Sequence, residues 1–125
     1  MAESMRPLNA VVAQCSARAS ECLVKPLHTH FRAVHTAHNL NELRTFIGEH
    51  HADVAIIDLE MVALDQLRQL ASEYGGTTII CTHRLADEQL WTEALAAGAA
   101  DCCHSFDIRA IVLAASRHRA TSTAA

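Results

Sequence analysis

Five apolar segments alternate along this chain with five stretches of helical periodicity, and that alternation constrains the fold more tightly than any other feature. The strongest segment is "DVAIID" (53–58), where Val54, Ala55, Ile56 and Ile57 follow one another without a polar break. A half-exposed strand alternates apolar and polar residues; a continuous apolar run is covered on both faces. "LNAVVAQC" (8–15), "TTIICT" (77–82) and the short "AADCC" (99–103) read the same way, and "FRAVHTA" (31–37) reads as a half-buried strand. Between them lie helical patterns at 16–30, 39–50, about 62–73, 86–98 and 107–119. Strand–helix repeated in this manner predicts an α/β fold: a three-layer, doubly wound (βα)5 sandwich with a five-stranded parallel sheet.

Local chemistry supports those boundaries. Ser16, Asn39 and Asp107 stand where a helix needs a side-chain acceptor at its start, and Gly98 stands where the fourth helix should close. Pro26 should kink or shorten the first helix, because it lacks an N–H and crowds the preceding turn. The inward stripes predicted from spacing are Cys22, Leu23 and Leu27; Leu40, Leu43 and Ile47; Leu64, Leu67, Leu70 and Ala71; and Ile108, Ile111, Val112 and Ala115. The 125 residues suit one domain, with its core at about 8–119 and flexible tails at both ends.

Composition excludes several classes. The formal charge of −4 gives no basic footprint for nucleic acid, and the late Arg109, Arg117 and Arg119 read as a solvated helix face. No apolar run is long enough to span a bilayer, and the start resembles no export signal, so a cytoplasmic protein without membrane contact is expected. The five cysteines (Cys15, Cys22, Cys81, Cys102 and Cys103) are an odd number and read as reduced thiols, mostly core residues. "AQCSARAS" after the first strand contains no glycine, which argues against a dinucleotide or P-loop enzyme.

Asp58 ends the most apolar strand on a carboxylate. Ligand sites in open parallel sheets lie beyond the carboxyl ends of the strands, so Asp58 should stand at the rim of the site face. "IIDLEM" with Asp65 further on, Thr82 closing "TTIICT", and "ALAAGAADCC" together resemble the receiver domain of two-component response regulators. The likeness spans about residues 8–119. It implies a flavodoxin-like receiver topology, a phospho-acceptor at Asp58, and phosphoryl contact or switch roles around Thr82, Ser105 and His104. The implied donor is a sensor histidine kinase or another signalling protein, and a homodimer is a further expectation. No enzymatic activity is implied beyond self-phosphorylation from a phosphodonor.

The departures from the family pattern fall in the same pocket. Gln14 and Cys15 stand where receivers carry two acidic residues, Ser105 stands at the usual Lys, and Phe106 and Val62 replace prolines. The fifth-strand aromatic falls on Cys102. The metal pocket is thus reduced to Gln14, Cys15 and Glu60 beside Asp58, and Mg²⁺, the cofactor implied, should bind weakly because it favours carboxylate oxygen. His104 or Arg84 is the cation left to face a phosphoryl group. With no output domain in view, output should pass by protein–protein contact through Leu85, Leu90, Trp91, Leu95 and Ile111.

Two other readings compete. One is a phosphorylation-independent pseudo-receiver that acts only as an interaction module. The other is a metal sensor built from Cys15, Asp58, His83 and His104, with "CCH" (102–104) as softer ligands for Zn²⁺. A third class, an enzyme with a Cys15 nucleophile activated by a helix N-terminus, lacks the rest of a catalytic set. The histidines of "HTH" (28–30) and "HH" (50–51) read as surface residues at helix ends.

Overall fold

The computed structural model describes residues 8–85 and 87–124, with side chains as far as Arg117. The elements run β1 (Asn9–Ala13), α1 (Ala17–Leu27), β2 (Ala33–Ala37), α2 (Leu40–Glu49), β3 (Val54–Asp58), α3 (Leu64–Glu73), β4 (Thr78–His83), α4 (Glu88–Ala97), β5 (Asp101–His104) and α5 (Ile108–Ala124). All strand pairs are parallel, and the sheet order is β2-β1-β3-β4-β5. The doubly wound α/β expectation therefore holds. The expected N-terminal tail and Ala86 lie outside the described residues. At the other end, α5 continues to Ala124, past the end at 119 that the sequence suggested.

α1, α2 and α5 start where their predicted caps stand, and α4 has a cap, Asp87, that was not read from sequence. Ser16, Asn39 and Asp87 accept from Ala19, Glu42 and Leu90 N–H groups at 3.1, 2.8 and 3.1 Å. Asp107 likewise accepts from Ala110 N–H at 3.1 Å. Each cap satisfies a donor that the first helical turn cannot, worth about 1 kcal/mol. Pro26 sits in the last turn of α1, which stops one residue later instead of reaching His30. Phe31 is buried but precedes β2, so the second strand is shorter than its sequence pattern suggested.

Side-chain alternation on the strands divides the core into two layers. Leu43 and Ile47 of α2, Leu67 and Leu70 of α3 and Ala94 and Ala97 of α4 cover one sheet face over Val11, Ala55, Ile57, Ile79 and Cys81. Leu23 and Leu27 of α1 and Ile111, Ala114 and Ala115 of α5 cover the other over Ala10, Val12, Val54, Ile56 and Ile80. β3 is central and buried throughout, as its continuous apolar run requires. A fully buried Leu or Ile here contributes about 1.5–3 kcal/mol. Cys22, expected inward, is exposed. The inner stripe of α1 is Ser20, Leu23 and Leu27, and Cys22 falls beside it. Among the described residues no helix is long and apolar enough to cross a membrane.

The histidines are not all simple surface residues. His50 at the end of α2 stacks on His35 of β2, with ring centroids 3.6 Å apart and planes 5° from parallel, and Phe46 leans on His50. Partial burial, and then the charges of His50 and His28, hold the His35 pKa below the ordinary imidazole value. The folded state therefore prefers neutral His35, whereas the unfolded chain takes up a proton near pH ~6.5. Its contribution to stability is complete above that pH and is lost as pH falls through the depressed folded value. Urea midpoints measured on both sides of this window should fall on acidification, and the fall should be smaller in His35→Gln. An equal fall in both proteins would contradict this assignment.

Candidate functional site

Asp58 is the last residue of β3, and its Cα partner on β4 is Thr82. The ladder continues one step further, with Leu59 N–H donating to the Thr82 carbonyl at 2.9 Å. On the other flank β1 pairs with β3 up to Ala13 and Ile57, so Gln14 leaves the sheet level with Asp58. The Gln14 amide reaches across β3 and donates from Nε2 to Thr82 Oγ1 at 3.2 Å. Ser105 follows β5 directly, and its N–H donates to the His83 carbonyl at 3.1 Å. Parallel strands of matched length thus bring Gln14, Asp58, Thr82 and Ser105 to one end of the sheet.

That end is closed rather than open. Asp58 is 6 % exposed, Thr82 0 %, Gln14 3 % and Ser105 5 %. A buried carboxylate needs donors, and Asp58 has backbone ones: Cys15 N–H to Oδ2 at 3.2 Å and Glu60 N–H to Oδ1 at 2.9 Å. Each is a charge-assisted bond, roughly twice as strong as a neutral one. They come from the residues where the chain leaves β1 and β3, which is why the loops fold over the acid.

The cations nearby are directed elsewhere. Arg84 Nε lies 2.6 Å from Glu60 Oε1, and His83 Nε2 lies 3.9 Å from the same oxygen. His83 Nδ1 is engaged by the Leu85 backbone. His104 is exposed, and its Nδ1 accepts the Phe106 N–H at 3.4 Å. Among the described residues no cation is ion-paired with Asp58. The Glu60–Arg84 pair was not foreseen from sequence; the adjacent strand ends of β3 and β4 were its only signal. Cys15 is exposed, and slight burial followed by the Asp58 and Glu60 charges raises its thiol pKa. The weaker reading of Cys15 as a thiol activated by a helix N-terminus gains no support, because burial and the neighbouring carboxylates push its pKa the other way.

The donor set fits a hard cation only sparsely. Asp58 supplies one carboxylate, and Gln14 Oε1 is buried with no hydrogen-bond partner, a neutral oxygen free to accept. The Glu60 carboxylate is occupied by Arg84. For the Zn²⁺ reading, no group of three His, Cys, Asp or Glu side chains converges among the described residues. Cys15, Asp58, His83 and His104 share a sheet end without sharing a centre, with His83 Nδ1 turned to the Leu85 backbone and His104 Nδ1 to the Phe106 N–H.

The expected contact surface divides. Leu85 and Leu95 are 63 % and 47 % exposed, whereas Leu90 and Trp91 are half-buried against the α2–α3–α4 core. Ile111 is fully buried in the opposite layer, so it cannot belong to that surface. Its place in the inward stripe of α5 accounts for this. Phe106 and Leu113, not predicted from sequence, are exposed instead. A separate groove, lined by Ser20, Cys22, Lys25 and Thr36, runs along α1 and away from Asp58.

No family model and no curated protein matches the sequence. Solved structures do match. A response regulator from Thermotoga maritima superposes with a TM-score of 0.78 at 20% identity, over 88% of this chain and 98% of that one. The signal receiver domain of NarL from Mycobacterium tuberculosis gives 0.76 at 19% identity, over 89% and 98%. A response regulator protein from Burkholderia pseudomallei, solved with a phosphorylated aspartic acid, calcium ion and citrate, gives 0.77 at 20% identity, over 92% and 72%. At such identities the likeness establishes the fold, and the fold is that of response regulator receiver domains.

Proposed function

We propose, with the receiver fold as premise, that this chain is a signalling module that accepts a phosphoryl group on Asp58 and passes the signal on by protein contact. The observation that carries this reading is the pairing of Asp58 with Thr82 at the ends of neighbouring parallel strands, beneath the Gln14 amide. A carboxylate oxygen of Asp58 attacks phosphorus in a phosphohistidine or a small acyl phosphate. The new O–P bond forms as the donor's P–N or P–O bond breaks, and the leaving group keeps the electron pair. Such transfer depends on placement and on neutralising charge. The Cys15 and Glu60 N–H groups hold the attacking carboxylate in place. The Thr82 hydroxyl, now bonded to Gln14, is the donor nearest in register for a phosphoryl oxygen. Asp58, Gln14 Oε1 and the Glu60 carbonyl would hold Mg²⁺, which supplies charge neutralisation when bound.

A sensor histidine kinase or another signalling protein fits as the donor. Output would use Leu85 and Leu95, exposed on the β4–α4 side, and a homodimer could form there. Nothing in the charge pattern invites nucleic acid, with a formal charge of −4. The second reading is a phosphate-independent interaction module. It is favoured by Ser105 at the position of the family Lys, and by the Gln14–Thr82 bond, in which Thr82 Oγ1 accepts and is held in place without a phosphoryl group.

Incubation with a small acyl phosphate and Mg²⁺, followed by intact mass, separates the two. One added phosphate in the wild type and none in Asp58→Asn is expected. An unmodified wild type, folded and still able to capture a partner, would favour the second reading.

A further inference from the structure

Cys81 on β4 and Cys102 on β5 are direct Cα partners in the parallel ladder. Both side chains enter the same layer, between the sheet and α4; Cys103, the next residue, enters the opposite one. Neighbouring strands lie about 4.8 Å apart, inside the Cα separation of about 4.4–6.8 Å that a disulfide spans. Cys103 is the partner of Thr82 and lies across the sheet, so neither Cys81 nor Cys102 can bridge to it without breaking the ladder.

The two thiols influence each other. A hydrogen bond from Cys81 draws the Cys102 pKa below the ordinary thiol value, against the opposing effects of burial and the Asp101 charge. The same bond, together with burial, pushes the Cys81 thiol up. Burial and the Asp101 charge push Cys103 up to about 12. Cys102 is also the more accessible of the pair, being half-buried where Cys81 is fully buried. Nucleophile and resolving thiol are thereby distinguished by position.

We propose that Cys81 and Cys102 form a reversible dithiol–disulfide pair, a redox modification site that joins β4 to β5 beneath α4. The oxidant is hydrogen peroxide. The Cys102 thiolate attacks one peroxide oxygen, the O–O bond breaks, and a sulfenic acid forms with release of water. The Cys81 sulfur then attacks the Cys102 sulfur and expels a second water, so two thiols and one hydrogen peroxide give one disulfide and two waters. The readout lies directly above. Cys102 Sγ donates to the Trp91 carbonyl of α4 at 3.7 Å, and oxidation removes that donor. Trp91 is one turn before the exposed Leu95, so a change in this contact reaches the outer face of α4. The pair does not depend on phosphoryl chemistry at Asp58.

The test uses the full reduced chain titrated with hydrogen peroxide, then alkylated under denaturing conditions and mapped as peptides. The expected product is a Cys81–Cys102 crosslink, two hydrogens lighter than the thiol pair, with Cys103 still alkylatable. Emission from Trp91, the single tryptophan, should change in step with the crosslink, and dithiothreitol should reverse both. In Cys102→Ser, Cys81 should stay reduced and the emission change should vanish. The proposal is overturned if Cys81 and Cys102 both remain alkylatable while the exposed Cys15 and Cys22 are oxidised. It is equally overturned if Cys102 proceeds to a sulfinic acid with Cys81 still free. Both outcomes are read on the wild type, so they do not depend on a variant that folds.

Discussion

Gly98→Ala is expected to lower the unfolding free energy by about 2–6 kcal/mol, the sum of backbone strain and overpacking. Gly98 closes α4 with φ at 122°, a conformation that L side chains rarely adopt. Its N–H reaches the carbonyls of Ala94 and Leu95, so the backbone cannot relax without giving up the helix end. A Cβ added there would lie 2.5 Å from the Cβ of Ala71 on α3. That atom is fixed to the α3 backbone and cannot rotate away, so the α3–α4 contact must open. Gly75→Ala is the matched control, with nothing within 4 Å of its added Cβ; it should change stability by less than about 0.5 kcal/mol. Urea unfolding of the three proteins gives the comparison. A Gly98→Ala midpoint equal to that of the control would show that the helix end is looser than described.

Ser105→Lys is expected to raise the rate of phosphorylation by a small acyl phosphate by about 10²-fold, the scale of one well-placed charge-stabilising donor. No cation is ion-paired with Asp58 among the described residues, and Arg84 is committed to Glu60. Ser105 is buried at the same sheet end, one residue beyond β5 and tied to the end of β4 through the His83 carbonyl. An ammonium introduced there can extend toward the anionic end of β3, where burial and the Asp58 and Glu60 charges already raise the Cys15 thiol. The rate is followed by intact mass, with circular dichroism confirming the fold. A folded variant that reacts no faster than wild type would show that a missing cation is not what slows the transfer.

The sheet could be read from sequence because strand and helix differ in period, and because β3, apolar at four successive positions, admits only a central place. Ser16, Asn39 and Asp107 cap their helices through local bonds of three residues' span, which sequence displays directly; Asp87 caps α4 in the same way and was not read as a cap. Asp58 and Thr82 were legible for the same reason: strand ends align when strands are parallel and matched in length.

What stayed hidden depends on contacts between distant segments. The Gln14–Thr82 bond spans 68 residues, and no pattern along the chain indicates it. The closure of the pocket follows from two loop N–H groups turning onto Asp58, a backbone event without a sequence signature. Ile111 was assigned both to the inner stripe of α5 and to an outer surface; burial in the layer opposite α4 leaves only the first. Cys22 shows the limit of counting thiols as core residues, since one step around a helix carried it to solvent. The His35–His50 stack joins an edge strand to a helix end, and neither residue is periodic with anything.

The central claim is that Asp58 is the phosphoryl acceptor of a receiver-fold module. Borohydride trapping after acyl-phosphate treatment tests it most directly, because an aspartyl phosphate is reduced to homoserine at the modified position and an unmodified carboxylate is not. Homoserine in place of aspartate at position 58, and at no other acidic residue, is the predicted result. Homoserine at Asp53, Asp65 or Asp101, or intact aspartate at 58 after full treatment, would contradict it.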